Sequence, residues 1–468
     1  MDKQVDTLVI SFKFPPTIDT SGIVAAKRII KNGEMVDVLH NLDDENASLN
    51  FKGLDDYINE RLTTTIKGSC NTIKYIAKFT NQAMELIKDK EYKNIYSRTW
   101  CLSNNYFAME YKFNNPNVYW IAEFSDPILR DTNGEKRELL MDNEEFINRI
   151  NLMIDGFNEN NNTNFNHIKN NSNIYYLSEL LTFIFSDKLI FTNENQRKIM
   201  LEHHDKEICD WVMNKSIICH HPTLDSEYYH LVEKNPDLNE DEINIAYFGN
   251  FYYAKRHFEP LFFAYDSLNH KYKDKIKFHF FINKNKYFDS LIKNLEFKDN
   301  LIINKPIDYF EFLNSSSKYD ILLINDTVTD GSFSINPYLP SKFSDYKGSG
   351  SDIWAIYEEK STLSTMDVKY KSSMTNYKQS RDVLIDILNE YGYIDENCSI
   401  NNNFYEERIT QLNKIIDEQS IVNKNQKRTI KKLKKQNKKL KKFNKKIMKS
   451  KSWKVTKPLR KVTSLIRK

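Results

Sequence analysis

No run of about 18 apolar residues occurs anywhere in the 468-residue chain, so no segment is expected to span a bilayer as a helix. The opening residues Asp2, Lys3, Gln4 and Asp6 lead into an apolar run over 7–12 that is too short for a secretory leader. Cysteine is sparse and unpatterned. Cys70, Cys101, Cys209, Cys219 and Cys398 are five in number and form no CxxC pair, which excludes a disulfide framework and points to buried thiols in a reducing compartment. The G-x-S-x-G, Walker, H-E-x-x-H and complete G-x-G-x-x-G patterns are also missing, removing the commonest hydrolase, nucleotidase, zincin and dehydrogenase readings. His203-His204 and His220-His221 are adjacent pairs that face different ways, with no carboxylate or cysteine to complete a site, so no metal is expected.

Acidic residues are missing from one region in particular. Residues 421–468 hold 21 Lys and Arg and no Asp or Glu, so a net charge of +4 for the whole chain leaves −17 on the remainder. A mildly acidic body with a basic tail keeps its positive charge away from any cleft, unlike an enzyme that grips nucleic acid. The protein is therefore expected in the cytoplasm, attached at most to the inner face of the plasma membrane, with no specific nucleic-acid partner.

The chain has an aromatic share of 13%, and its body has enough apolar residues for sizeable cores. An apolar run at 6–12, a turn through Thr20-Ser21-Gly22 and helically spaced Ile23, Val24, Ala26, Ile29 and Ile30 open a strand–turn–helix unit. Further strands are expected at 35–39, 94–97, 118–124 and 188–192, with helices at 73–88, 144–154 and 194–203. The Asn-rich stretch 158–171 reads as an exposed loop or helix extension. The pattern breaks between Pro222 and Glu242, then repeats: strands at 244–248, 277–282, 301–303, 320–324 and 352–357, helices at 259–270, 287–295, 309–314 and 377–391. Such alternation implies α/β architecture, two Rossmann-like domains at 1–225 and 226–395 facing a cleft.

From Ile409 the period changes. Ile409, Leu412, Ile416, Gln419, Asn423, Gln426, Ile430, Leu433, Asn437, Leu440, Asn444 and Ile447 alternate spacings of three and four, a heptad seam of about six heptads. A coiled coil is expected at 405–450, its buried Asn positions favouring a parallel homodimer; the alternative is a lone solvated helix. Residues 451–468 place Val455, Leu459, Val462 and Ile466 on one helical face with Trp453 at its edge and cations opposite. That suits an anionic membrane surface, the alternative being a solvated tail that binds nucleic acid nonspecifically.

Three segments carry candidate chemistry. Gly22 precedes a helix N-terminus, where free amides can meet a phosphate or hydroxyl. Phe248-Gly249-Asn250-Phe251, followed by Lys255-Arg256, puts a glycine at a strand end ahead of two cations, as a diphosphate requires. Pro340-Ser341-Lys342-Phe343-Ser344-Asp345 starts a helix whose N-terminus favours a pyrophosphate and whose Asp345, one turn on, can accept from ribose hydroxyls. In combination these segments resemble retaining family-four glycosyltransferases of the GT-B fold. The resemblance spans about residues 5–395 and is most specific in the P-S-K segment. It implies donor binding by Gly22, Gly249, Asn250, Lys255, Arg256, Ser341, Lys342 and Asp345, with a nucleotide sugar as substrate and no metal or other cofactor. The family often has a glutamate eight residues before the ribose-binding residue; that place here is Pro337, so the carboxylate expected beside the transferred sugar is either absent or moved to Asp326 or Asp330.

Tyr96-Ser97-Arg98 and Trp120-Ile121-Ala122-Glu123-Phe124-Ser125-Asp126-Pro127 are similar to segments of the members that build surface polysaccharides, as is the terminal S-W-K-V-T-K-P-L-R. Each of the first two ends an apolar strand, which makes Arg98, Glu123 and Asp126 candidate catalytic residues in the cleft; an ion pair between loops and a helix cap are the structural alternatives. The resemblance implies transfer of a hexose to a glycan or lipid-linked acceptor. A non-catalytic scaffold of the same fold, organising a polysaccharide assembly through its coiled coil, is the competing reading.

Deleting 451–468 is expected to abolish co-sedimentation with anionic liposomes while leaving the background on neutral liposomes unchanged. Binding to anionic liposomes that persists after the deletion would place the membrane contact elsewhere.

Overall fold

The computed structural model describes residues 5–42, 48–249, 258–284, 286–293, 297–329 and 331–394, and in the basic segment 431, 433–436 and 438–442. Two units separate by contact, Met1–Ile394 and Asp395–Lys468. Asn250, Lys255, Arg256, Asp330, most of the coiled-coil seam and the whole of 451–468 lie outside the described residues.

In the first unit strands and helices alternate as the periodicity requires. The first half runs β1 (Thr7–Ser11), α1 (Thr20–Asn32), β2 (Val36–Asn41), β3 (Ile58–Thr64), α2 (Ile73–Leu86), β4 (Asn94–Thr99), α3 (Leu102–Asn114), β5 (Tyr119–Phe124), α4 (Glu144–Asn161), α5 (Ile174–Phe185), β6 (Lys188–Phe191), α6 (Glu194–Leu201), α7 (Lys206–Lys215) and β7 (Ser216–Ile218). The second half runs β8 (Ile243–Phe248), α8 (Glu259–Asp266), α9 (His270–Lys273), β9 (Ile276–Phe281), α10 (Lys286–Ile292), β10 (Leu301–Asn304), α11 (Tyr309–Ser316), β11 (Ile321–Asn325), α12 (Lys342–Ser349), β12 (Asp352–Tyr357), α13 (Thr362–Thr365), β13 (Tyr370–Ser373) and α14 (Tyr377–Glu390).

The strands form two sheets, ordered β3-β2-β1-β4-β5-β6-β7 and β10-β9-β8-β11-β12-β13. Every pairing is parallel, with Ile10 beside Leu39 and Ser97, and Ile321 beside Ile245 and Ile353's neighbour Asp352. Parallel sheets need crossover helices on both faces, so β1, β8 and β11 are buried almost throughout and read as continuous apolar runs. In each sheet the chain order reverses beside the first strand, between β1 and β4 and between β8 and β11. Crevices form at such switch points, outside the carboxyl ends of the strands.

Local signals set the first turn. Asp19 caps α1 by accepting from the Gly22 amide at 3.0 Å, and Gly33 ends the helix in the left-handed region at φ 73°. Gly22 is needed for packing: a Cβ there would stand 2.4 Å from the Lys13 carbonyl oxygen. The Asn-rich stretch is ordered by its own side chains, the Asn158 carboxamide oxygen accepting from the Phe165 amide at 2.9 Å. A single apolar cluster joins the halves, bringing Phe14, Ala25, Ile29 and Phe51 together with Phe248, Phe310, Phe312 and Tyr346. Phe51 stacks on Tyr309 at 5.3 Å and meets Phe310 edge-on at 5.1 Å.

Two histidines are buried in the sheets. His40 on β2 and His279 on β9 are 1% and 4% exposed, and hydrogen-bond through Nε2 to the Thr63 hydroxyl and the Asn244 carboxamide oxygen, each at 3.1 Å. Burial lowers each imidazole to about 4. The folded state therefore holds them neutral while the unfolded chain takes up protons below its own value of about 6.5. Each contributes stability that is present above pH 6.5 and lost as the pH falls towards 4, on the order of 3 kcal/mol apiece. Urea midpoints measured from pH 7 to pH 4 are expected to fall steeply across that window, and less steeply in His279→Gln; parallel profiles for the two proteins would contradict this.

Candidate functional site

At the β8/β11 switch point lies a cavity of about 380 Å³. Its floor is the carboxyl ends of the second sheet, Phe248-Gly249 after β8, Phe281 ending β9 and Ile324-Asn325 ending β11. Pro306, Ile307 and Asp308 form one wall, and Pro340, Ser341 and Lys342 at the start of α12 form another. Ile18, Thr20, Ile23 and Leu49 from the first half close it. Most lining residues are apolar or aromatic, joined by Thr20, Asp308, Asn325, Ser341 and Lys342, a mixed composition that suits a small-molecule pocket.

Three expected donor-site residues, Gly249, Ser341 and Lys342, meet in this one cavity. The Lys342 ammonium rests 4.2 Å from the centroid of the Phe312 ring. Burial in the cavity wall lowers its pKa, with Asp345 opposing the shift and Lys27 adding to it. Around it, α12 opens with a tight turn in which the Phe343 and Ser344 amides donate to the Pro340 and Ser341 carbonyls at 3.0 and 3.3 Å, so it is the positive end of the helix dipole that acts together with the Lys342 cation.

Asp345 is placed differently. It is 6% exposed and absent from the cavity wall; its Oδ1 accepts from Lys27 Nζ at 2.8 Å and from the Tyr309 hydroxyl at 2.9 Å. Lys27, 1% exposed on α1, also donates to the Ser344 hydroxyl at 2.8 Å. Tyr229 donates to the Asp345 carbonyl at 2.6 Å. Asp345 thus ties α12 to α1. Gly22 packs inside α1 against Lys13 and Phe14, and it is its neighbours Thr20 and Ile23 that reach the cavity.

The candidate catalytic residues divide as sharply. Arg98 and Glu123 sit side by side at the ends of β4 and β5 and are 2% and 1% exposed. The Glu123 carboxylate accepts from Arg98 Nη1, from Arg28 Nε at 3.1 Å and from the Tyr96 hydroxyl at 2.7 Å. Burial alone would raise Glu123, but Arg98 and Arg28 hold its carboxyl below the usual range. Arg98 Nε also donates to the Ser21 hydroxyl at 3.1 Å. Arg98 and Glu123 are therefore enclosed in a network that binds α1 to the first sheet. Asp126, beyond the end of β5, is exposed, yet protein crowded around it desolvates its carboxyl and raises it, against the pull of Arg98 and Arg137 and with Asp19 adding to the rise. Tyr338 of the second half senses the Asp126 charge from across the cleft.

Further contacts hold the halves together. Asn193, the cap of α6, donates from its carboxamide to the Pro337 carbonyl at 3.0 Å, and Asn195 donates to the carbonyls of Asn336 and Lys360, each at 3.0 Å. Pro337 thus serves the interface through its backbone. Asp326, a proposed substitute, is fully buried, its Oδ2 accepting from the Glu358 amide at 2.9 Å.

Asp308, Tyr309, Phe312 and Leu49 line the cavity without having been singled out in the sequence. The available signal was position: 304–308 lies between an expected strand and an expected helix, where the carboxyl end of a parallel sheet opens.

No family model and no curated protein sequence matches the chain. Solved structures do share its fold. Sucrose-phosphate synthase from Thermosynechococcus elongatus is similar with a TM-score of 0.52 at 11% identity, over 89% of this chain and 100% of that one. The HepE protein of Anabaena, solved with UDP and glucose, gives 0.51 at 10% identity over 89% and 99%. A glycosyltransferase from Rickettsia africae gives 0.51 at 10% identity over 83% and 89%. At these identities the likeness establishes architecture: the chain has the paired Rossmann-like arrangement of the GT-B fold.

Removing one partner of the buried pair leaves an uncompensated charge, so Lys27→Met is expected to destabilise the first unit by about 3–5 kcal/mol. Adding Asp345→Asn should recover part of that loss, because the two positions are directly coupled. Equilibrium denaturation of the two variants measures both; additive losses would mean that the pair contributes nothing as a pair.

Proposed function

We propose that the chain is a glycosyltransferase that moves a hexose-type sugar from a nucleotide-diphosphate donor to a hydroxyl of a membrane-associated or polymeric glycan. The observation that carries this is the convergence of Gly249, Ser341 and Lys342 on one cavity at a topological switch point of a GT-B fold. That a structural relative was solved with UDP and glucose is consistent with it.

On this reading the bond from the sugar's anomeric carbon to the diphosphate oxygen breaks as the bond to the acceptor oxygen forms on the same face, and the acceptor's hydroxyl proton passes to the departing diphosphate oxygen. The developing charge on the diphosphate is stabilised by the Lys342 ammonium and the positive end of the α12 dipole, a preorganised field that needs no reorganisation during reaction. Lys255 and Arg256 join them by the family resemblance. Asp126, facing the cleft with a raised pKa, orients the acceptor hydroxyl, while Arg98 and Glu123 hold the strand ends that carry it. The mechanism is electrostatic and metal-independent, with retention at the anomeric carbon following the resemblance. A coiled-coil homodimer and the basic tail would bring paired sites to the cytoplasmic face of the membrane, an avidity gain without new contacts. Leu433 and Leu440, two seam positions in the described helical stretch, are 57% and 59% exposed, as positions awaiting a second copy would be.

The scaffold reading draws on the Lys27 and Tyr309 contacts of Asp345 and on Pro337 at the glutamate position. Two measurements separate the readings. UDP, GDP or ADP at about 100 times its dissociation constant should stabilise the protein by about 2.7 kcal/mol, visible as a thermal shift. One donor from a panel of nucleotide sugars should be hydrolysed or transferred. Lys342→Ala should weaken nucleotide binding by about tenfold to a hundredfold. Binding without turnover favours the scaffold; absence of both sinks the proposal.

A further inference from the structure

Among the described residues two side chains of formal charge face the cavity, Lys342 and Asp308. Asp308 holds the N-cap position of α11 with φ −63° and ψ 157°, and its carbonyl accepts from the Phe312 amide at 2.7 Å. An aspartate at that position ordinarily turns its carboxylate onto the free amides of its own helix. Asp308 makes no such bond. Its carboxylate is exposed in the cavity wall and takes no hydrogen bond or ion pair among the described residues. The carboxylate expected to meet a ribose, Asp345, is meanwhile buried outside that wall, its Oδ1 occupied by Lys27 and Tyr309.

We infer that Asp308, in place of Asp345, is the specificity-determining carboxylate that accepts hydrogen bonds from the nucleoside half of the donor. The inference rests on the nucleotide-binding reading above. An ionised carboxylate only accepts, and its two oxygens suit a pair of adjacent donors. A nucleoside offers two such pairs, the vicinal ribose hydroxyls and the neighbouring N–H groups of guanine. The spacing fits a ligand with one anionic and one aromatic end. Lys342 lies over Phe312, four residues along α11 from Asp308, which is about 6 Å of helix axis. Pro306, Ile307 and Phe281 beside Asp308 supply apolar surface for a base.

The test is titration of the full-length protein, Asp308→Asn and Asp345→Asn with UDP, 2′-deoxy-UDP, GDP and IDP. Wild type should prefer UDP over its deoxy form by at least tenfold if the diol is read, or GDP over IDP if the base is read. Asp308→Asn should retain diphosphate binding and lose that preference, and its unliganded melting temperature shows whether it is folded. A preference that survives in Asp308→Asn, or that disappears in Asp345→Asn alone, overturns the assignment, as does a wild type that binds all four equally. If wild type binds none of the four, it is the nucleotide reading that fails, and this inference falls with it.

Discussion

A buried ammonium group dictates the geometry of the first unit. Lys27 projects from α1 to a place where it is 1% exposed, and a charge taken so far from water costs several kcal/mol unless an anion meets it. The anion is Asp345, 318 residues further along the chain. Since α1 is fixed to the first sheet by Arg28 on Glu123 and by Ser21, which accepts from Arg98, and α12 begins the wall of the cavity, this contact sets the separation of the two sheets at the cleft. The apolar cluster around Phe14, Phe51, Phe310 and Tyr346 provides attraction without direction. The ion pair supplies the direction, because an ammonium and a carboxylate tolerate little displacement in a dry setting.

The cleft accordingly has two kinds of charge. Arg98 and Arg28 share Glu123, and Lys27 pairs with Asp345, inside the protein, where they hold strand ends and helices in register. Lys342 and Asp308 line the cavity, and Asp126 is exposed beyond the end of β5. Residues of the first kind have the larger number of partners and the least freedom, which suits them to support. Residues of the second kind have charges that a ligand can still satisfy. A charged residue at the carboxyl end of a parallel strand is therefore a candidate for either role, and its chemical type alone does not separate them.

Strand–helix alternation made the doubly wound architecture legible, and the apolar runs of β1, β5, β8, β11 and β12 stood out because both faces are covered. The missed strands, β3, β7 and β13, are all edge elements. β3 reads Ile-Asn-Glu-Arg-Leu-Thr-Thr and β13 reads Tyr-Lys-Ser-Ser, so neither has the two-sided burial that produces a long apolar run. α3 was missed for the opposite reason. Ser103, Asn104 and Asn105 in its first turn are buried with their neighbours, so the polar residues do not mark a solvent face. At the site, the Pro-Ser-Lys segment was legible, but the rotation of its helix was not. Asp345 lies about 60° around the axis from Lys342, enough for Lys342 to face the cavity while Asp345 faces α1.

This partition bears on how the cavity recognises anything. With Asp345 committed to Lys27, the pocket wall keeps a cation beside a helix N-terminus, a carboxylate about a turn of α11 away, and apolar surface between. A ligand carrying anionic charge at one end, donors at the other and a flat ring beside them satisfies all three features at once. A simple sugar phosphate would leave the apolar wall wet, and a free base would leave Lys342 without a counter-charge. The division of labour between two aspartates, one structural and one facing the pocket, is what makes a nucleoside diphosphate the best-matched occupant on the proposed reading.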